Sequence, residues 1–181
     1  MLKHPKMIKK RLIPILFFSL SAFCQEQKTT QSLYPPSIGN IEFNPDLDKK
    51  DFQLCNPKYD AQYYYWTKDA NYEGDKSVIE KEFKEKYKPE NVKKESGLIR
   101  IRFIVNCKGE TDRFRILGMD ENYQEKVFDK SIIDQLLQIS KNLKGWIPKK
   151  ITSKTNEVFS YDYYQYLIFK MKDGQISEIL P

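Results

Sequence analysis

The stretch Gly97–Gly118, GLIRIRFIVNCKGETDRFRILG, decides how the rest of the chain is read. Ile99, Ile101, Phe103 and Val105 alternate with Arg100 and Arg102, the period-two pattern of a strand with one apolar face. Lys108-Gly109 then reads as a two-residue hairpin turn, since glycine accepts the positive φ that such a turn requires. Counted outward from that turn, Phe103 falls opposite Phe114 and Ile101 opposite Ile116, so apolar residues meet on one face. A hairpin of this kind, flanked by helical segments, predicts an α+β domain: a three- to four-stranded antiparallel sheet with two helices packed on one face.

Working outward on the N-terminal side, Val78, Ile79, Phe83 and Tyr87 recur at helical spacing between Gly74 and Tyr87. The charges around them, such as Glu80 with Lys84 and Glu82 with Lys86, read as a solvated face of i,i+4 pairs, and Pro89 ends the helix. On the C-terminal side, Met119–Asn122 is a polar loop and a second helix is expected from about Gln124 to Leu143. Its stripe is Phe128, Ile132, Leu136, Ile139 and Leu143, and Gly145 is its stop. Trp146 reads as core. Asn156 to Met171 is a long strand with Phe159, Tyr161, Tyr163, Leu167 and Phe169 on one face and Tyr164, Tyr166 and Ile168 on the other. Asp173-Gly174 forms a second two-residue turn that returns Gln175–Leu180 along this strand, with Met171 opposite Ile176, Leu167 opposite Leu180 and Ile168 opposite Ile179.

Gly97, Phe103, Val105, Asn106 and Gly109, followed by Trp146 and Pro148 and preceded by Tyr87-Lys88-Pro89, resemble the pattern of TonB C-terminal domains. The likeness runs from about Gly74 to Met171. It is to that domain, without the membrane anchor and long Pro-rich spacer of full TonB proteins. The resemblance implies a non-enzymatic protein-protein interaction module of the bacterial cell envelope, whose partner is an envelope protein or an extended peptide paired against a sheet edge.

The N-terminus reads as a signal peptide spanning residues 1–24. Lys3, Lys6, Lys9, Lys10 and Arg11 form a basic region before the apolar run Leu12–Phe23, with Ala22 and Cys24 at the small-residue positions that place cleavage between Cys24 and Gln25. The alternatives are a lipoprotein acylated on Cys24 and an uncleaved anchor, though a dozen apolar residues fall short of the roughly 30 Å of hydrocarbon a helix must cross. The mature chain would be periplasmic or associated with the outer envelope. Five of the 31 basic residues and none of the 25 acids lie in this segment, leaving 26 against 25. The formal charge of +6 therefore belongs mostly to the leader, and no basic stripe remains for nucleic acid.

His4 is the sole histidine and lies in the leader as well, so a mature chain has no Ser-His or Cys-His pair and lacks the commonest zinc ligand. No Gly-rich phosphate loop or metal-ligand spacing appears, so no cofactor or metal is expected and the chain does not read as an enzyme. Acidic residues such as Asp112, Asp120 and Glu121 sit where solvated acids normally do.

Residues 25–44 read as an extended linker containing Pro35-Pro36, and residues 45–73 as an aromatic arm packing on the domain at 74–181. The alternative for the arm is a stacking platform for glycan or peptidoglycan, since Tyr63, Tyr64, Tyr65 and Trp66 offer apolar faces with polar tips. Those four, with Tyr164 and Tyr166, are the candidate partner-contacting residues. Cys55 and Cys107 are the thiols remaining after cleavage. In an oxidising compartment they point to a disulfide, with a buried free thiol as the alternative. Strand parity places Cys107 on the face of Phe103 and Val105, toward the protein interior.

Overall fold

The computed structural model describes residues 41–55, 60–62 and 71–180; the leader, the Cys24–Gln25 junction and the cluster Tyr63–Trp66 lie outside them. Strand β1 is Asp60–Gln62, helix α1 Asp75–Lys86, and strands β2 and β3 are Gly97–Val105 and Thr111–Met119. Helix α2 follows at Lys130–Asn142, then β4 at Lys149–Thr152, β5 at Val158–Lys172 and β6 at Gln175–Leu180. The fold is α+β, as expected. In the sheet, β2 lies between β3 and β5, and β6 closes antiparallel on the far side of β5. Two further short strands pair with β5: β4 antiparallel at its beginning and β1 in parallel at Asp162–Tyr164.

Both helices cover one face. Ile79 and Phe83 of α1 and Ile132, Leu136 and Ile139 of α2 share a core with Ile99, Ile101, Phe103 and Val105 of β2 and with Tyr163, Leu167, Phe169 and Met171 of β5. Helix α1 touches this core along a narrow line at Ile79, Phe83 and Tyr87, leaving Val78, expected in the stripe, 37% exposed. The start expected for α2 is corrected. Residues before Lys130 run extended beside β3: the Lys126 N–H donates to the Gly118 carbonyl at 2.9 Å, and Met119 bridges Glu125. A Cβ at Gly118 would meet the Lys126 carbonyl oxygen at 2.2 Å, so only glycine permits this approach. Phe128 reaches the core from that extended segment. Asp129 begins the helix, its carboxylate accepting from the Ser131 N–H at 3.0 Å.

The hairpin differs from its reading in an instructive way. Its loop has three residues, not two: Asn106 N–H donates to the Glu110 carbonyl around Cys107, Lys108 and Gly109. Val105 thus pairs with Thr111 and Ile104 with Asp112, one residue out of the expected register. A bulge then restores it. Arg113, at φ 57°, is the extra residue, and beyond it Arg102 pairs with Arg115 and Ile101 with Ile116. Phe103 and Phe114 stack at 4.8 Å, as anticipated.

The tail shows the same device. Asp173 and Gly174 both have positive φ, and Met171 pairs with Ile176 as expected. A bulge at Ser177, between the Met171–Ile176 and Lys170–Glu178 pairs, then moves the pairing by one, so Ile179 faces Phe169 rather than Ile168, and Leu180 faces Ile168 rather than Leu167. The shift turns Ile179 to the helix-covered face, where it is 4% exposed. Phe159, expected on the core face, is 46% exposed because the start of β5 pairs with β4 beyond the helices.

Trp146 closes the core between α2 and the sheet. It meets Tyr72 edge-on at 4.9 Å and Phe103 at 5.1 Å, and is 3% exposed. Segment 71–73 is held alongside by hydrogen bonds from Ile147 N–H to Asn71 O and from Glu73 N–H to Gly145 O. Trp146→Ala is expected to cost about 3–5 kcal/mol, the range for truncating a large core aromatic. Thermal melting checks this: a variant within a degree or two of wild type would place Trp146 outside the core.

Candidate functional site

The sheet face away from the helices carries Arg100, Arg102 and Ile104 from β2, Asp112 and Arg115 from β3, and Asp162, Tyr164 and Tyr166 from β5. The register puts Ile104 beside Tyr164 and Arg102 beside Tyr166. Such a row, apolar only in part, would be a solvated face if nothing lay on it. Here the segment Ile41–Cys55 lies on it, an arm that takes in residues 41–44 of the expected linker. Ile41 packs with Ile104 and Tyr164, and Phe52 and Leu54 pack against the same cluster.

An irregular segment laid on a sheet face needs partners for its backbone groups, and the face supplies them from side chains. Ile41 N–H donates to Tyr164 Oη at 2.9 Å, Lys49 N–H to Asp112 Oδ2 at 2.8 Å and Cys55 N–H to Asp162 Oδ2 at 2.8 Å. The carbonyls of Ile41, Glu42 and Gln53 accept from Arg113, Arg115 and Asn106, respectively. Arg115 also makes a two-pronged pair with Asp48, at 2.7 and 2.8 Å. Burial would raise the Asp48 pKa, but the hydrogen bonds from Arg115 and from Asn44 N–H and the nearby charges of Arg115 and Arg113 outweigh it, so the carboxyl sits below its ordinary value of 3.8.

Cys55 and Cys107 form a disulfide, with Cα atoms 6.0 Å apart. Strand parity had directed Cys107 inward, but β2 ends at Val105 and Cys107 belongs to the loop, where it turns to the arm. The two cysteines are 52 residues apart in sequence, and closing a loop of that size constrains the unfolded chain by about 4 kcal/mol in the chain-entropy view. The loop carrying Cys107 is itself shaped by Asn106, fully buried, whose Oδ1 accepts from Lys108 N–H and Glu110 N–H. Gly109 has φ 77°, and a Cβ there would lie 2.5 Å from the Trp146 carbonyl oxygen. Arm, loop and Trp146 are thus one assembly.

Of the candidate partner-contacting residues, Tyr164 is buried and holds the arm through its hydroxyl, while Tyr166 is half-buried between Arg100 and Arg102. Asp112, expected among the solvated acids, is buried on β3 and accepts from Lys49 N–H, while Asp120 Oδ1 accepts from Asn122 N–H and Gln124 N–H. Among the described residues no group of His, Cys, Asp and Glu side chains is placed to hold a metal ion, and no helix is long and apolar enough to cross a membrane. A surface groove of about 620 Å³ lies along α2 beside Lys86 at the end of α1, lined by side chains that include Asp134, Gln135, Leu137, Ile139 and Lys141.

Sequence reading missed Arg102, Asp48 and Asp162. Asp162 carried a signal, an acid set among the tyrosines Tyr161, Tyr163 and Tyr164 within a strand. Compared with known proteins, the chain matches no family model, no curated protein and no solved structure.

The depressed pKa of Asp48 has a sign that can be tested. Its ion pair contributes fully above the ordinary value of 3.8 and is lost as pH falls through the lower folded value. Wild-type stability should therefore fall more steeply than that of Asp48→Asn on acidification below about pH 4. At neutral pH Arg115→Gln should cost about 1.5–3 kcal/mol. Urea unfolding of the three proteins at neutral and acid pH measures both effects; parallel pH profiles for wild type and Asp48→Asn would disprove the ionic clasp.

Proposed function

We propose that the chain is a non-enzymatic interaction module of the bacterial cell envelope, similar to a TonB C-terminal domain, that takes an envelope protein or an extended peptide as its partner. The observation that carries this reading is the mutual contact of the residues behind the resemblance. Asn106 shapes the hairpin loop, Gly109 of that loop abuts the Trp146 carbonyl and lies 3.6 Å, as an added Cβ, from Pro148, and the Trp146 ring packs on Phe103. Residues recurring at a set spacing are more informative when one packing arrangement requires them together. The Cys55–Cys107 disulfide supports an oxidising compartment.

The edge of β5 is where an added strand would pair, and the chain's own tail lies there. β6 pairs with Ile168–Lys172, Ile179 and Ile176 join the core, and the Tyr87 hydroxyl donates to the Gly174 carbonyl at 2.8 Å. A docked tail satisfies the backbone groups an incoming peptide would use. On this reading the intact protein meets its partner on another surface.

Two measurements test the proposal. Immobilised mature protein should retain a defined envelope protein and give no saturable signal on a glycan array; glycan binding without protein capture would replace this reading with an envelope glycan- or peptidoglycan-binding function. Deleting Asp173–Pro181, in a form checked for folding by circular dichroism, should produce extended-peptide binding or self-association by light scattering. Tight peptide binding by the full-length chain, unchanged by the deletion, would show that the tail blocks nothing.

A further inference from the structure

The arginines under the arm divide into two kinds. Arg113 and Arg115 spend their donors on the arm, and Arg115 is neutralised by Asp48. Arg102 spends none. It is 8% exposed, its guanidinium lies 4.0 Å over the ring of Tyr164 and 5.6 Å from that of Tyr166, and its Nε and Nη2 are buried without a hydrogen-bond partner.

A buried guanidinium is costly unless its charge and its donors are both answered. Stacking on Tyr164 answers part of the charge, through the flat face of the group. The N–H donors point outward in its plane, so stacking leaves them free for a second partner. Among the described residues no carboxylate on this face takes that role: Asp48 pairs with Arg115, while Asp112 and Asp162 accept from the Lys49 and Cys55 N–H groups.

Arg100 is two residues away on the same strand and therefore on the same face, about 7 Å from Arg102 along the backbone. Its guanidinium lies 5.8 Å from the Tyr166 ring, and it makes no hydrogen bond or ion pair with a described residue. Arg100 is only half-buried.

We propose that Arg100 and Arg102, both near the Tyr166 ring, form a binding site for an oxyanion group, a phosphate or a carboxylate, on the sheet face opposite the helices. A guanidinium fork matches two oxygens of either group. The buried fork supplies donors already stripped of water, and the half-buried one the entrance. This assignment is independent of the partner proposed above, because free phosphate and an oxyanion carried on a larger molecule present the same chemistry.

The test uses the full oxidised chain at constant ionic strength held with chloride, titrated with inorganic phosphate and, separately, with acetate while the arginine Nε–H resonances are followed by NMR. The expected result is a saturable shift of the Arg100 and Arg102 signals with at least one of the two anions. Response to phosphate alone assigns a tetrahedral phosphate group; response to acetate as well extends the site to carboxylates. Arg100→Gln, at a half-buried position, should weaken binding about tenfold or more, and Arg102→Gln should do the same where it folds. No saturable shift with either anion, or equal affinity in wild type and Arg100→Gln, would overturn the proposal.

Discussion

Strand β2 is covered on both faces. From Arg102 to Val105 every residue is buried, although the alternation of arginine and apolar side chains describes a strand with one wet face. One cover is conventional, two amphipathic helices on Ile99, Ile101, Phe103 and Val105. The other is an irregular arm, and an irregular segment can be buried only if its backbone groups find partners. The polar character of the second face follows from that requirement. Asp112, Asp162, Tyr164, Arg113, Arg115 and Asn106 each answer a backbone group of the arm.

The sorting of side chains between the two faces rests on parity. A three-residue loop in a regular hairpin would place Arg113 opposite Phe103, setting an arginine into the apolar core and turning Phe114 toward the arm. The bulge at Arg113 absorbs one residue, so Phe114 and Ile116 face the helices and Arg115 faces Asp48. The tail repeats the solution, with a bulge that brings Ile179 to Phe169. In both places burial of a large apolar side chain, worth about 1.5–3 kcal/mol, outweighs the loss of regular pairing at one residue.

Much of this was legible in the sequence because it depends on period and on turn chemistry. Alternation from Ile99 to Val105, the Asp173-Gly174 turn, the Ile132–Ile139 stripe and the position of Trp146 all carry local signals. Bulges were not legible: Arg113 and the residues after Ile176 look like any strand residues, and their irregularity comes from distant partners. The start of α2 was misplaced because Gln124–Phe128 reads well as helix, whereas contact with Gly118 draws it out alongside β3. The clasp was least legible. Arg102 and Arg115 sit where solvent-facing residues belong in a two-layer domain, and only the arm, 47 or more positions earlier, makes them interior. For the same reason strand parity misdirected Cys107, which leaves the strand before it turns to Cys55.

The central claim is that the arm is part of the fold and the second cover of β2, rather than a tether lying against a finished domain. Amide hydrogen exchange on the oxidised protein tests it at three positions, the N–H groups of Ile41, Lys49 and Cys55, whose acceptors are Tyr164, Asp112 and Asp162. If the account holds, these amides exchange with the slow, globally limited rates of the β2–β5 ladder. Exchange at the rate of a free peptide, with the ladder still protected, would show a domain complete without its arm and would contradict it.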